Sequence, residues 1–584
     1  MLKTIINKDT YQDSVVLMLL TNEISELEGV NKVSIMMATP ANKDIFDSSG
    51  LRTPELEEAT ANDMAIVVDA ENDEVIDTVL EEVDRFLSEQ SKGTSGEKIE
   101  KTIKSWEAAL KELPDTNLAV VSVPGVYAAS VANRALDEDL NVFIFSDNVE
   151  VEDELKIKEK AREKGLLCMG PDSGTGVINS VPIAFTNDIK EGKIGIVGAS
   201  GTGIQEVSTI IDKLGEGVTN AIGTGGRDLS EKVGGITMLS GIATLAEDDD
   251  TDVITIISKP PAESVRNKIM NYLRTLDKPV VTIFLGEKPE YHEENLYHAY
   301  TLEEAARISV ALARGEEVEN FKGDTSIEIE DSKDGKTIKG YYSGGTLGGE
   351  AAMLINDALD NDKGIENVEG FLFKEDGFEI IDLGDDEYTQ GTPHPMIDPT
   401  NRAEHMKKAM EDESTSVILF DLVLGYGSHD DMASALAPSI ESLREQAEKE
   451  NREVHFVTTI CGTERDPQGY EQQKQIMEDA GVIVCQTNNA AVEKALALIG
   501  KSVNYPDKEI KSKENITEKV EVEVSENMKD LINSEPRIIN IGLESFAETL
   551  DSFPCEVVQY NWKPIAGGDV ELINVLDFLR SYEY

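Results

Sequence analysis

Apolar positions follow two rhythms along this chain. Short continuous apolar runs alternate with stretches in which apolar residues recur every three or four positions. The first rhythm predicts strands buried on both faces, the second amphipathic helices. Residues 117–123, 141–145 and 166–169 read as strands, and 127–139 and 152–164 read as helices between them. That βαβαβ order predicts a parallel sheet, closed by Gly170-Pro171-Asp172-Ser173-Gly174-Thr175-Gly176. A further segment runs from 193 to about 315, with strands at 194–197, 221–222, 253–257 and 280–284. After a polar linker at 316–337 comes another, with strands near 340–342, 379–382, 417–420, 455–459 and 482–485. Ahead of these, strands at 32–37 and 64–69 and helices at 14–27 and 72–90 predict a small α+β domain ending in the linker 90–96. Residues 505–535 are charged and are expected to form a mobile connection. The tail, with strands at 538–541 and 556–559 and a terminal helix, is expected to pack on the preceding segment or on a partner.

Two loops interrupt this pattern in the same way. Gly198-Ala199-Ser200-Gly201-Thr202-Gly203 and Ser343-Gly344-Gly345-Thr346-Leu347-Gly348-Gly349 each follow a strand and open a helix. Free N–H groups and the helix dipole make such a turn an anion site, and glycine lets the backbone come close. Ser200, Gly201, Thr202, Gly203, Gly344, Gly345 and Thr346 are therefore candidates to hold a phosphate-like group. Ordinary helix capping explains each loop taken singly. The pair predicts two helix N-termini facing one anion.

Other strand ends carry further candidates, each with a plainer alternative. Gly225, Gly226 and Arg227 in Gly223-Thr224-Gly225-Gly226-Arg227-Asp228 suit a carboxylate clamp or a simple turn with a surface ion pair. His394, stiffened by Pro393, Pro395 and Pro399, suits acid–base work or a rigid connector. Asp421 before Gly425 and Gly427 suits a substrate contact or a helix cap. Arg465 suits an anion or an internal pair with Asp466. His298, in Tyr297-His298-Ala299-Tyr300, is a phosphoryl-carrier candidate or a packed ring.

Composition narrows the range. At 584 residues the chain has room for about three to five domains. A formal charge of −59 argues against nucleic acid and anionic membrane as partners. No apolar run spans a bilayer, and Met1-Leu2-Lys3-Thr4 leads into a strand rather than a signal peptide, so a cytoplasmic protein is expected. Cys168, Cys461, Cys485 and Cys555 are widely spaced without a CxxC, which predicts neither disulfides nor a metal site.

The order of loops resembles the succinyl-CoA synthetase superfamily, with Gly170 to Thr175 similar to its glycine-proline loop and the two Ser/Gly/Thr loops similar to its two "power helix" loops. The resemblance implies an α/β fold of consecutive parallel-sheet domains. These are a Rossmann-like CoA-binding-type domain at 97–190 and two ligase-type flavodoxin-like domains at 191–320 and 338–505. They are flanked by the small α+β domain at 1–95 and a C-terminal extension at 530–584. It also implies CoA, ATP and a phosphohistidine. Here His298 lacks that family's flanking glycines, and the CoA loop and nucleotide domain have no counterpart, so CoA and ATP are doubtful and no cofactor is assigned. Gln12-Asp13-Ser14-Val15, Met36 to Lys43, Ser258 to Glu263, Ile381 to Asp386, His394 to Pro399 and Gly462 to Pro467 are similar to the FdrA family, end to end. That resemblance implies one subunit of an oxamate carbamoyltransferase of anaerobic allantoin degradation, interconverting oxalurate and phosphate with oxamate and carbamoyl phosphate. Its partners would be the other subunits of that complex and small anionic substrates. An acyl-CoA synthetase or a non-catalytic scaffold subunit is the alternative.

Overall fold

The apolar runs pair into four sheets among the described residues. The computed structural model describes residues 1–8, 10, 12, 14–25, 27, 29–60, 63–90, 103–329, 335–361, 367–389, 392–564 and 575. The linker expected at 90–96, Gln90 apart, and the expected terminal helix fall outside them. The chain divides into two units: 1–109 with 389–393 and 559–584, and 110–388 with 394–558.

The first unit holds an antiparallel sheet of Leu2–Asn7, Met64–Ala70 and Val30–Met37, in that order. Alternation along Met64–Ala70 splits its apolar side chains between two cores. Ile66 and Val68 meet Leu17, Leu20, Ile76 and Val79 of the helices Ser14–Ser25 and Asp73–Gln90. Ala65 and Val67 meet Phe46, Leu51 and Leu56.

The second unit carries the other three sheets. In the largest, the strands Ile194–Gly198, Val218–Gly223, Val253–Ser258, Val280–Phe284 and Leu296–Ala299 stand in spatial order 2-1-3-4-5, all parallel. In the next, the parallel strands Thr337–Tyr342, Phe378–Asp382, Thr415–Val423, His455–Cys461 and Ile483–Cys485 repeat that order, with Phe371–Glu375 antiparallel at the edge. This is the flavodoxin-like arrangement, twice. A single apolar core runs through both, joined by Ile204, Val207 and Ile211 of one helix and Leu347, Ala351 and Leu354 of another.

Two expectations are corrected. The tail meets the segment ending at 505 through Phe553 on Tyr426, but its strand pairs elsewhere. Arg537–Ile541 adds as a parallel strand beside Leu118–Val121, with Ile538 opposite Leu118, completing the sheet of Asn141–Ile144 and Cys168–Met169. A valine-rich strand without a second neighbour would leave a ladder edge open, and the tail closes it. Residues 505–535 are ordered rather than mobile. Glu509–Lys511 pairs with Tyr291–Glu293, Lys508 is buried on Glu304, and Val520, Val522 and Val524 pack on the core.

Candidate functional site

Both Ser/Gly/Thr loops follow the first strand of a 2-1-3-4-5 sheet. That places each at a switch point, where the connections on either side leave in opposite directions and open a crevice. Ser200 is extended (φ −149°, ψ 120°) and caps the helix Gly201–Lys213, its Oγ accepting from the Gly203 N–H at 3.0 Å. Gly344 occupies the same place before the helix Gly345–Ala358. The loops meet: the Ser200 and Thr346 hydroxyls are hydrogen-bonded to each other. A Cβ on Gly344 would lie 3.0 Å from Thr202 Cγ2, so glycine eases this close approach. The N–H groups of Gly201, Thr202, Gly345 and Thr346 lead their helices, where no intrahelical acceptor exists, and two positive dipole ends converge there.

Beneath the pair lies a buried polar bolt. Glu206 and Glu350 are both fully buried, each on the second turn of its helix. Asn488 links them: its N–H donates to Glu206 Oε1 at 2.8 Å and its Nδ2 to Glu350 Oε2 at 2.8 Å. Glu350 also accepts from the Leu302 N–H at 2.7 Å. Burial pushes the Glu350 carboxyl up to about 8, and Glu206 adds like charge. Gly-Thr followed by Glu recurs at one spacing, 201, 202, 206 and 345, 346, 350, a repeat the sequence contains and the loop reading passed over.

Two more carboxylates flank the second loop. Asp421 is fully buried, and its oxygens take the Ser343 N–H (2.8 Å), the Ser343 hydroxyl (2.9 Å) and the Gly344 N–H (2.8 Å). Arg402 stands 3.6 Å away and donates to the carbonyls of Asp421 and Pro395. Asp421 is thus an internal brace rather than a substrate contact, and the N–H groups of Gly344 and Gly203 are already taken. Asp382 ends the neighbouring strand. Its Oδ1 accepts from the Gly384 N–H at 2.9 Å, and a Cβ on Gly345 would fall 2.3 Å from its Oδ2. His394 does reach this corner: its Nε2 lies 2.6 Å from where a Cβ of Gly384 would be. Its Nδ1 accepts from the Met396 N–H at 3.2 Å, which leaves the proton on Nε2. Burial and Arg402 lower its pKa to about 4, so the ring is neutral at pH 7. Asp382 and Ser343 were missed, although Asp382 sits at a strand end before glycine just as Asp421 does.

The remaining candidates lie elsewhere. Arg227 is paired with Glu154 at 3.0 Å and donates to the Val149 carbonyl. Gly225 (φ 81°) packs on Pro171 and Gly226 faces Asp172, so this loop seats the 170–175 turn. Arg465 pairs with Asp188 (3.1 Å) and Asp212 rather than with Asp466, whose oxygens accept from Thr463, Asn187 and Asp188. His298 is held on a strand, bonded to Thr282 at 2.8 Å and 3.7 Å from Glu293, and touches neither loop. Burial pushes the Cys168 and Cys485 thiols up to about 12, which leaves them inert.

Three family models match the chain. One described as "AllF, heavy metal-associated domain" covers residues 1–103, "CoA binding domain" covers 189–286, and "CoA-ligase" covers 341–498. The chain is 41% identical over 505 residues to the uncharacterized protein YahF of Escherichia coli, covering 83% of this chain and 96% of YahF. It is 26% identical over 177 residues to the succinate–CoA ligase [ADP-forming] subunit alpha 2 of Archaeoglobus fulgidus, 30% of this chain and 60% of that protein. A solved acetyl-coenzyme A synthetase of Ca. Korarchaeum cryptofilum superposes at TM-score 0.27 with 14% identity, over 67% of this chain and 84% of its own.

The residues in place bear on both groups that these descriptions suggest. Residues 1–103 contain no Cys and no His, so thiolate and imidazole donors for a heavy metal are missing there and methionine thioethers are the soft donors present. No described helix is long and apolar enough to cross a membrane. The turn Gly170–Thr175, which precedes the residues 189–286 that match the CoA-binding description, has acidic surroundings. Burial pushes the Asp172 carboxyl up to about 6, with Asp147 and Asp386 adding like charge. The cations there, Lys158 and Arg227, are spent on Glu154 and Asp228.

Proposed function

The chain belongs to the YahF family of succinyl-CoA synthetase-like proteins, and on that premise we propose that it is a CoA-ligase-like enzyme whose two helix N-termini hold the phosphoryl group of an acyl phosphate. The Ser200–Thr346 hydroxyl contact carries this reading, because it brings two sets of unpaired N–H groups to one point. Donors fixed there stabilise negative charge as it builds on the departing phosphate oxygens. The acyl carbon would then be attacked by an acceptor, its bond to the phosphate oxygen breaking. The test is acyl-phosphate turnover, followed by phosphate release, with Thr346→Asp placing a carboxylate between the helices. Activity is expected to fall by at least about 100-fold. Full activity in a folded Thr346→Asp protein would move the site elsewhere.

A second reading names the acyl group. His298 bonds Thr282 rather than facing the loops, and carboxylates surround Asp172 in the turn that resembles the synthetase glycine-proline loop. Both favour direct transfer to a small nitrogen acceptor, as in an FdrA-type oxamate carbamoyltransferase subunit working with partner subunits. Oxalurate and phosphate given to the complete complex should then yield carbamoyl phosphate, and His298→Ala should retain activity. Loss of activity in His298→Ala, with label from ATP on the wild-type histidine, would favour the phosphohistidine ligase instead.

A further inference from the structure

Two carboxylates stand at the N-terminus of the helix Gly345–Ala358, and they are not equivalent. Asp421 is satisfied by three donors and has Arg402 beside it. Asp382 has one, the Gly384 N–H on Oδ1. Its Oδ2 meets no protein donor among the described residues and lies over the Cα of Gly345, the residue whose N–H opens the helix. An anion seated on the Gly345 and Thr346 N–H groups would therefore sit against this oxygen. Two negative charges at that separation repel, and the penalty grows in a half-buried site.

We propose that the anion site binds its ligand together with one proton, carried on Asp382 Oδ2, which turns a repelling carboxylate into a donor to the anion. This rests on the reading of the paired helices as an anion site. The groups facing Asp382 support it. Burial pushes its carboxyl up to about 7, Gly384 and Lys259 pull it down, and Asp385 and Asp421 push it up. His394, neutral with its proton on Nε2, adds no opposing charge. A seated dianion raises the carboxyl further, so uptake is expected at neutral and mildly alkaline pH.

The test is calorimetric titration of the full chain with sodium sulfate, a tetrahedral dianion that does not itself titrate near pH 7. Repeating it at pH 8 in buffers of different ionisation enthalpy gives the protons taken up. Wild type is expected to take up close to one proton per sulfate, and its affinity to fall by about tenfold per pH unit above the Asp382 titration. Asp382→Asn, which keeps the shape and the Gly384 contact, is expected to bind sulfate without uptake and with a flat pH profile. Arg465→Ala, whose side chain pairs with Asp188 and Asp212, is expected to keep the uptake. Sulfate binding without uptake in wild type, or undiminished uptake in Asp382→Asn, would overturn the proposal while leaving the anion site intact. Absence of both sulfate and phosphate binding in folded wild type would overturn the site itself.

Discussion

Which side chain takes which donor separates the working groups at this site from the bracing ones. Ser200 both caps its helix and touches Thr346, so Ser200→Ala removes two bonds at once. It is expected to cost about 0.5–2 kcal/mol of stability in denaturant melts and to weaken sulfate binding. Arg465 behaves oppositely. Its guanidinium is spent on Asp188 and Asp212, so Arg465→Ala is expected to lower stability by about 1–2 kcal/mol while sulfate affinity stays unchanged. A large loss of sulfate affinity in that variant would return Arg465 to the site. Sequence spacing could not distinguish the two residues, because an arginine after a strand end looks alike whether its partner is a ligand or an aspartate 253 positions away.

The two helices are set against each other by polar groups as well as by packing. Asn488, itself at the head of the helix Asn488–Ala497, spans Glu206 and Glu350 with one backbone and one side-chain donor. Asn488→Ala leaves Glu350 short of a donor in a dry place and is expected to destabilise the fold by about 1–3 kcal/mol. It should also loosen sulfate binding, since the helix N-termini would lose their common brace. Equal sulfate affinity would mean that apolar packing alone fixes the helices. The strand–loop–helix units were legible from period and glycine placement, including both loops. The partner of the strand Arg537–Ile541 was not, because parallel pairing across more than 400 residues leaves no local trace.

Several carboxyls in different parts of the chain bind their protons more tightly because they are buried. Burial holds Glu350 near 8, Asp382 near 7, and Asp172 and Asp466 near 6. Each binds its proton more tightly folded than unfolded, so its contribution is full below the unfolded value and is lost as pH rises through the folded one. Thermal stability is therefore expected to decline between about pH 5 and 8, and the decline to be shallower at its upper end in Glu350→Gln. An unchanged slope in that variant would remove Glu350 from the account. The sequence by itself determined the elements, the α/β class and the two anion-type loops, because periodicity, glycine and capping residues act over a few neighbours. Only the tertiary structure decided that the loops touch, that Asp421 is internal while Asp382 is open, and that Arg227, Arg465 and His298 stand apart. Those outcomes depend on which strand ends the sheets bring together, and distance in space is not written in the local pattern.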